Sequence, residues 1–150
     1  MESVNLRDSV PRRWSEQLGG IRWLPRLIDK ARSAIEGQLG AYLFGQSPVD
    51  TALLKALGLS HRAFASMVRD ASDDTAVLSA LQAAVPDGLE RARAWSARLP
   101  RSHRLFLMII DIDDGYTGGP LAKRLMNLLS NPFTAVVKRA KPSRAAEFSP

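Results

Sequence analysis

Polar residues between positions 29 and 50 are of the types that bind anions and transfer protons. Asp29, Lys30 and Arg32 lie close together, and Tyr42 and Asp50 follow after a turn. An arginine guanidinium would bind an anionic group, while a lysine or an aspartate would transfer protons. These types and spacings suggest a cleft for an anionic ligand, in a binding protein or an enzyme, and they call for no cofactor.

The same segment has a simpler interpretation as a set of surface ion pairs. Asp29 is three positions from Arg26 and Arg32, and Arg32 is four positions from Glu36. Side chains three or four apart face one another on a helix, and each pair stabilises it by about 0.2–0.5 kcal/mol. The sequence leaves the ion-pair and cleft interpretations open.

Three acidic residues near position 112 form a second candidate site. Asp111, Asp113 and Asp114 carry the oxygen ligands that Mg²⁺ or Ca²⁺ prefers. The spacing does not match a calcium-binding loop, because an alanine stands where a bidentate glutamate is needed. Acids at the end of a helix also oppose its dipole. We therefore predict compensation by an arginine, Arg26 or Arg104, and no metal site.

Other motifs do not have the spacing that their chemistry requires. His61 and His103 belong to neither a zinc-protease nor a catalytic-triad pattern, and the glycines of 115–119 lack the phosphate-loop lysine. Predicted helices at 48–57 and 60–71 resemble a helix-turn-helix. Acidic residues at the end of the second would repel phosphate, which favours a packed helical hairpin.

Apolar residues recur at helical spacing along most of the chain. The sequence predicts an all-α fold, a compact orthogonal or irregular bundle of about seven or eight short helices. The first spans about 21–37 with Pro25 in its first turn, and Pro100 separates the fifth from the sixth. The others are expected at 48–57, 60–71, from 73 or 74, 86–99, 102–115, 121–129 and 132–141. One small two-stranded element, pairing Ala41–Phe44 with Leu105–Ile110, is a minority alternative.

This pattern divides the chain into four parts. Residues 1–20 are an irregular lead-in, and 21–119 form a helical core domain. Residues 120–141 are basic amphipathic helices packed on that core, and 142–150 are a disordered tail. The chain of 150 residues fits one domain.

Composition narrows the class of protein. The chain has no cysteine, which excludes disulfides, thiolate zinc sites and a thiol nucleophile. No apolar run approaches the roughly 20 residues of a membrane-spanning helix, and residues 1–20 lack the apolar core of a secretory signal. We expect a cytoplasmic protein.

The formal net charge of +6 is concentrated at one end. Residues 1–115 contain fifteen basic and fourteen acidic residues, whereas 116–150 contain six basic residues and one acid. A basic segment of this kind can bind phosphate or anionic lipid. The basic patch consists of Lys123, Arg124, Lys138, Arg139, Lys141 and Arg144.

A longer pattern runs from residue 19 to residue 44, GGIRWLPRLIDKARSAIEGQLGAYLF, followed by Asp50, Leu53 and Leu54. It resembles a bacterial family of small helical proteins described as a domain of unknown function. The likeness covers about residues 18–115, with Asp113-Asp114-Gly115 as a closing match. The resemblance implies an all-α fold and no particular activity.

Three functional hypotheses follow. The first is a non-catalytic interaction module, a homodimer or an adaptor for a protein partner, that associates through its C-terminal helices. The second is the anionic-ligand cleft around Asp29, Lys30, Arg32, Tyr42 and Asp50. The third and weakest is non-specific nucleic-acid binding by the basic patch.

Overall fold

The computed structural model describes residues 4–118 and residue 124. These residues form six α-helices and one two-stranded antiparallel sheet. The sheet strands are β1 (Gln17–Leu18) and β2 (Ile21–Arg22). The helices are α1 (Leu24–Ile35), α2 (Pro48–Leu57), α3 (His61–Asp70), α4 (Asp74–Ala84), α5 (Pro86–Ser102) and α6 (Arg104–Asp113). The described chain is therefore all-α apart from a short hairpin.

The helix count is six rather than the seven or eight predicted for the whole chain. The six agree with the first six predicted helices. The remaining two, predicted within residues 120–141, lie outside the described residues, as does the tail predicted at 142–150.

The hairpin begins in the predicted irregular lead-in and ends in the predicted start of the first helix, so α1 begins at Leu24 rather than at about residue 21. Gln17 pairs with Arg22 and Leu18 with Ile21, and the two residues of the turn, Gly19 and Gly20, both have positive φ. A tight two-residue hairpin turn of this type requires a positive φ at both of its central residues, and glycine adopts such angles without strain. The predicted pairing of 41–44 with 105–110 is wrong, because residues 105–110 belong to α6.

Helix α1 is buried on two sides. Its apolar side, which includes Leu24, Leu27 and Ile28, lies in the hydrophobic core with α3 and the sheet against it. Its polar side is buried too, because residues 4–16 cross over it. Ser33 Oγ donates to the carbonyl of Val4 in this crossing segment. An element with two buried sides occupies the centre of the domain.

The start of α1 depends on an unusual backbone conformation. Trp23, the residue before the helix, has φ 70° and ψ −22°, in the left-handed region. Such a conformation costs a non-glycine residue about 1–3 kcal/mol and persists where the surroundings impose it. Here the Trp23 backbone N–H donates to the carbonyl of Trp14 at 3.0 Å. Pro25 falls in the first turn, as predicted.

Side-chain caps fix the starts of three helices. Ser47 accepts from the backbone N–H of Asp50, and Ser60 accepts from that of Ala63. Asp73, one of two candidates, caps α4 by accepting from Ala76. These caps satisfy N–H groups that have no partner within the helix.

Helix α5 continues through Pro100 to Ser102, so the predicted break at Pro100 is wrong. A proline lacks the N–H that would bond to the carbonyl four residues earlier, here that of Ser96. The Arg22 guanidinium donates to that carbonyl at 3.4 Å. A side chain from β2 thus partly replaces the missing bond, and the helix ends only at Ser102.

Helices α2 and α3 do not form the predicted packed hairpin. The main contacts of α2 are with α5, whereas α3 packs on α1 and α4. Gly88 permits the close approach of α5 to α2, because a Cβ there would lie 2.2 Å from the carbonyl oxygen of Leu57.

Candidate functional site

A buried ion pair joins α1 to the start of α2. Lys30 Nζ lies 2.6 Å from both carboxylate oxygens of Asp50, and both residues are almost inaccessible to solvent. Asp50 also accepts from the indole Nε1 of Trp23 at 2.7 Å and from the backbone N–H of Gly45 at 2.9 Å. With three donors, the Asp50 carboxylate has the partners that a buried charge requires.

The environment of Lys30 acts on its charge in two directions. Burial lowers the pKa of Lys30 from its usual value, and the Asp50 carboxylate opposes that change. The Trp23 ring lies 5.4 Å from Lys30 Nζ and 5.1 Å from the Arg26 guanidinium. A tryptophan face attracts cations at such distances. The strained residue at the helix start thus supports two buried cations.

A second group of charges connects α1 to α4 through the crossing segment. The Arg12 guanidinium donates to both Asp29 oxygens, at 2.8–3.0 Å, and also contacts Asp74. Arg32 reaches the other oxygen of Asp74 at 2.9 Å. Partial burial would raise the pKa of Asp74, but Arg12 and Arg32 together lower it. Asp74 therefore serves as a common acceptor for two arginines.

A third group connects α1 to the end of α6. Arg26 Nη2 lies 2.7 Å from Asp114 Oδ2, in ion-pair contact but outside hydrogen-bond geometry. The Tyr42 hydroxyl donates to the other oxygen of Asp114 at 2.7 Å. Burial, with the adjoining Asp114 carboxylate, raises the pKa of Tyr42 well above its usual value. Tyr42 is thus held as a neutral donor.

Another acid of this region, Asp111, binds the crossing segment. It accepts from Arg13 at 2.8 and 3.0 Å and from the indole Nε1 of Trp14 at 2.9 Å. Burial alone would raise the pKa of Asp111, but these two donors lower it. The Tyr116 hydroxyl adds a further link, to the carbonyl of Pro11 at 2.8 Å. The end of α6 is therefore fastened to residues 11–14.

These contacts define what we call the charge cluster, in which cations and carboxylates are equal in number. Its side chains are Arg12, Arg13, Arg26, Lys30 and Arg32 with Asp29, Asp50, Asp74, Asp111 and Asp114. A site built for an anionic ligand would carry surplus positive charge. The charge cluster instead neutralises itself, so its geometry suits a structural element better than an open binding site.

The five residues predicted to line a cleft all have partners in or beside the charge cluster. Lys30 and Asp50 contact each other directly, whereas Asp29 and Arg32 are linked through Arg12 and Asp74. Tyr42 joins through Asp114. For Asp29, the alternative of a solvated ladder on α1 is wrong, because Asp29 is buried and binds Arg12, which lies outside the helix. Whether a ligand enters this region stays a prediction.

Several members of the charge cluster could not be selected from their own sequence context. Arg12, Arg13 and Trp14 lie in a segment predicted to be irregular, with no periodicity to mark them. Asp74 was seen only as a possible helix start. The compensation predicted for the acids at the end of α6 is confirmed for Arg26, whereas Arg104 is exposed.

The described residues contain no group of three or more side chains arranged to hold a metal ion. Asp111 and Asp114 bind arginines instead. Of the predicted basic patch, Arg124 is described and is helical and exposed. The other five, Lys123, Lys138, Arg139, Lys141 and Arg144, lie outside the described residues. Within residues 4–118, no helix has the length and hydropathy needed to cross a bilayer.

The outer side of α6 is a second candidate site, of apolar character. Leu105 is 65% exposed and Met108 47%, while Ile109 and Ile112 are partly exposed. We call these four residues the α6 apolar face. Leu107, on the other side of the helix, is buried in the core. Large apolar side chains grouped on a surface commonly mark an interaction site.

The fold and the charge cluster together define a small all-α domain around a doubly buried helix. A model of the family described as "Domain of unknown function (DUF5069)" matches residues 8–104, and the chain belongs to this family. The match begins earlier than the resemblance suggested and ends where α6 begins. No curated protein matches the sequence.

Proposed function

We propose that this protein is a non-catalytic association module that binds a protein partner through its C-terminal end. That end comprises the α6 apolar face and the amphipathic residues 120–141. The observation that carries the proposal is the exposure of Leu105 and Met108 on one side of a well-formed helix. Burying such side chains contributes roughly 1.5–3 kcal/mol each. The absence of cysteine favours a cytoplasmic location.

The charge cluster supports the non-catalytic part of this proposal. A general acid or base must come within hydrogen-bond reach of a substrate. Lys30 and Asp50 are buried and bonded to each other, and Tyr42 is bonded to Asp114. The groups with proton-transfer chemistry are therefore occupied by contacts within the protein.

The double variant Leu105→Gln/Met108→Gln tests the proposal. Glutamine suits a helix but removes apolar surface. We expect partner capture and any self-association in sedimentation velocity to fall about tenfold or more, which equals the loss of about 1.4 kcal/mol or more. Ser79→Gln/Ala83→Gln, at two exposed positions on α4, is the matched control. Unchanged association of the α6 variant would refute the proposal.

Anion binding at α1 is a second candidate, favoured by one observation. Arg26 Nε and Arg32 Nη2 are buried donors without a hydrogen-bond acceptor among the described residues. A small oxyanion would supply such acceptors. Calorimetric titration with inorganic phosphate tests this alternative, which predicts binding that Arg32→Met weakens. A titration of the unmodified protein that shows no heat of phosphate binding would rule out this alternative.

A further inference from the structure

Residues 91–104, which span most of α5 and the first residue of α6, carry an excess of positive charge. They contain five arginines and no acidic residue. Arg91 donates to the carbonyl of Ala56 at 3.0 Å, and Arg93 donates to a carbonyl of the hairpin turn at 2.9 Å. The other three are exposed, and no hydrogen bond or ion pair joins their side chains to another residue of the described chain. We call these three the corner arginines: Arg98, Arg101 and Arg104.

The corner arginines stand at the N-terminal end of the α6 apolar face. Arg98 and Arg101 are three positions apart and therefore lie on the same side of α5. His103 alone separates α5 from α6, and Arg104 is the first residue of α6, next to Leu105. Arg98 is six residues before Arg104, so all three arginines lie within about two helical turns of the start of α6. Exposed cations thus adjoin exposed apolar side chains.

The positive charge is confined to this end of the α6 apolar face. Residues 105–114 contain three acids and no basic residue. The phosphates of an anionic bilayer or of a nucleic acid extend along the whole surface, so within α6 they would meet a cation at one end only. A protein segment can instead place carboxylates at one end and apolar side chains along the rest. Such a segment matches the pattern of charge on α5 and α6.

The charges of this chain make it a poor source of that segment. Residues 119–150 contain six basic residues and one acid, so they would bring further cations to the corner arginines. The α6 of a second copy also supplies few carboxylates, because Asp111 and Asp114 are already bound to arginines of their own domain. Like charges placed together disfavour binding. The pattern therefore favours a different protein as the occupant.

We propose that the partner presents an amphipathic helix that packs its apolar side against the α6 apolar face and pairs acidic residues at one end with the corner arginines. This inference rests on the proposed function and specifies the chemistry of its partner. A helix laid on an apolar stripe is a common mode of recognition. The apolar contact supplies most of the affinity. The exposed ion pairs each contribute little, but they select the partner and set its direction.

Two synthetic helical peptides test the proposed chemistry. The acidic peptide has leucines at i, i+3, i+4 and i+7 and glutamates at one end, and the neutral peptide has glutamines in place of the glutamates. We expect the full chain to bind the acidic peptide about tenfold more tightly in fluorescence anisotropy, with a preference that salt reduces. The variant Arg98→Gln/Arg101→Gln/Arg104→Gln should lose this preference while still binding the neutral peptide as the unmodified protein does.

A matched control removes as much positive charge elsewhere on the surface. Its substitutions are at exposed positions of α2 and α3: Lys55→Gln/Arg62→Gln/Arg69→Gln. We expect the control variant to keep the preference for the acidic peptide, because these positions are not on α5 or α6. Equal or absent binding of the two peptides by the unmodified protein, or an equal loss of preference in the control variant, would overturn the inference.

Other occupants give different results in the same assay. Binding to phosphatidylserine vesicles or duplex DNA that depends on the corner arginines and is tighter than binding to the acidic peptide would overturn the inference. Self-association through the α6 apolar face that the acidic peptide does not displace would overturn it as well, in favour of a second copy.

The inference and the proposed function can fail separately. Capture of the cellular partner that requires Leu105 and Met108 but not the corner arginines would leave the association function standing and refute the acidic partner. Binding of the acidic peptide that requires the corner arginines but neither Leu105 nor Met108 would refute the apolar contact, on which the proposed function depends.

Discussion

The polar side of α1 and the apolar side of α6 reverse the usual distribution of side chains. On α1, Asp29 and Lys30 are buried, whereas on α6, Leu105 and Met108 face solvent. Charged groups are almost never buried unless they are paired, and exposed apolar groups in a cluster commonly await a partner. The buried charges have their partners among the described residues, and the exposed apolar side chains do not. The two helices therefore differ in which interactions the domain completes by itself.

The two helices also differ in the contacts that they make with the rest of the domain. The contacts of α1 link Arg12, α2, α4 and the end of α6, so they determine how these pieces are arranged. A buried ion pair rarely adds much net stability. Removing one of its two partners is nevertheless costly, because the other charge stays buried without compensation. The contacts of α1 therefore suit folding specificity, and the α6 apolar face is the surface that the proposed association would use.

Asp50→Ala should have the largest effect on stability. It leaves the Lys30 ammonium, the Trp23 indole N–H and the Gly45 N–H buried without their acceptor. Breaking a buried pair from one side costs about 3–5 kcal/mol. Urea denaturation followed by circular dichroism measures the loss. Asp70→Ala, which removes a 69% exposed partner of Arg69, should change stability by less than about 0.5 kcal/mol. Similar losses for both variants would erase the distinction between buried and surface pairs.

Arg12→Ala should have a smaller effect. It removes the partner of Asp29 and one of the two arginines on Asp74. The Arg12 side chain is partly exposed, so water replaces some of the interaction and we expect a loss of about 1–3 kcal/mol. The same urea experiment applies, with Arg69→Ala as the surface control. A loss as small as the control's would mean that the crossing segment is not held by its charges.

Acid should weaken the domain through Asp74 and Asp111, whose pKa values are lowered in the folded state. Unfolded aspartate titrates near pH 3.9. Above about pH 4 their contribution to stability is therefore fully present, and it is lost as pH falls from there through the folded-state pKa values. Urea midpoints measured between pH 7 and pH 2.5 test this expectation. In the variant Asp111→Asn, the urea midpoint should fall less steeply at acid pH. A pH profile identical to that of the unmodified protein would contradict the role given to Asp111.

The smallest stability effect is expected on α6. Leu105→Gln/Met108→Gln changes residues that project from the described domain, so the free energy of unfolding of residues 4–118 should change by no more than about 0.5 kcal/mol. Thermal denaturation of the chain truncated after Gly119, with and without the two substitutions, isolates this effect. Destabilisation as large as that of Asp50→Ala would place the α6 apolar face in the core.

Local sequence rules were enough to locate the helices. Ser47 and Ser60 start their helices as capping rules predict, and apolar spacing indicates all six described helices. Pro100 was misjudged because Arg22, distant in sequence, donates to the carbonyl that a proline leaves free. The hairpin at Gly19 and Gly20 was missed because its strands have two residues each, too short to show an alternating pattern.

The charge cluster was only half predictable. The residues on α1 drew attention because Asp29, Lys30 and Arg32 are concentrated on one helix. The contacts of the crossing segment could not be assigned, because Arg12 is 17 residues from Asp29 and Arg13 is 98 residues from Asp111. Helical periodicity also treats a polar side as solvent-facing by default. Burial of that side depends on the path of residues 4–16, which no local pattern specifies.

We expect the buried charges of α1 to be structural and to be tolerated because they are paired. A double-mutant cycle of Lys30→Met and Asp50→Leu, measured by urea denaturation, tests it most directly. We predict that the double variant, which has no unpaired buried charge, loses less stability than Asp50→Leu alone. A double variant that loses the sum of the two single losses would contradict this account.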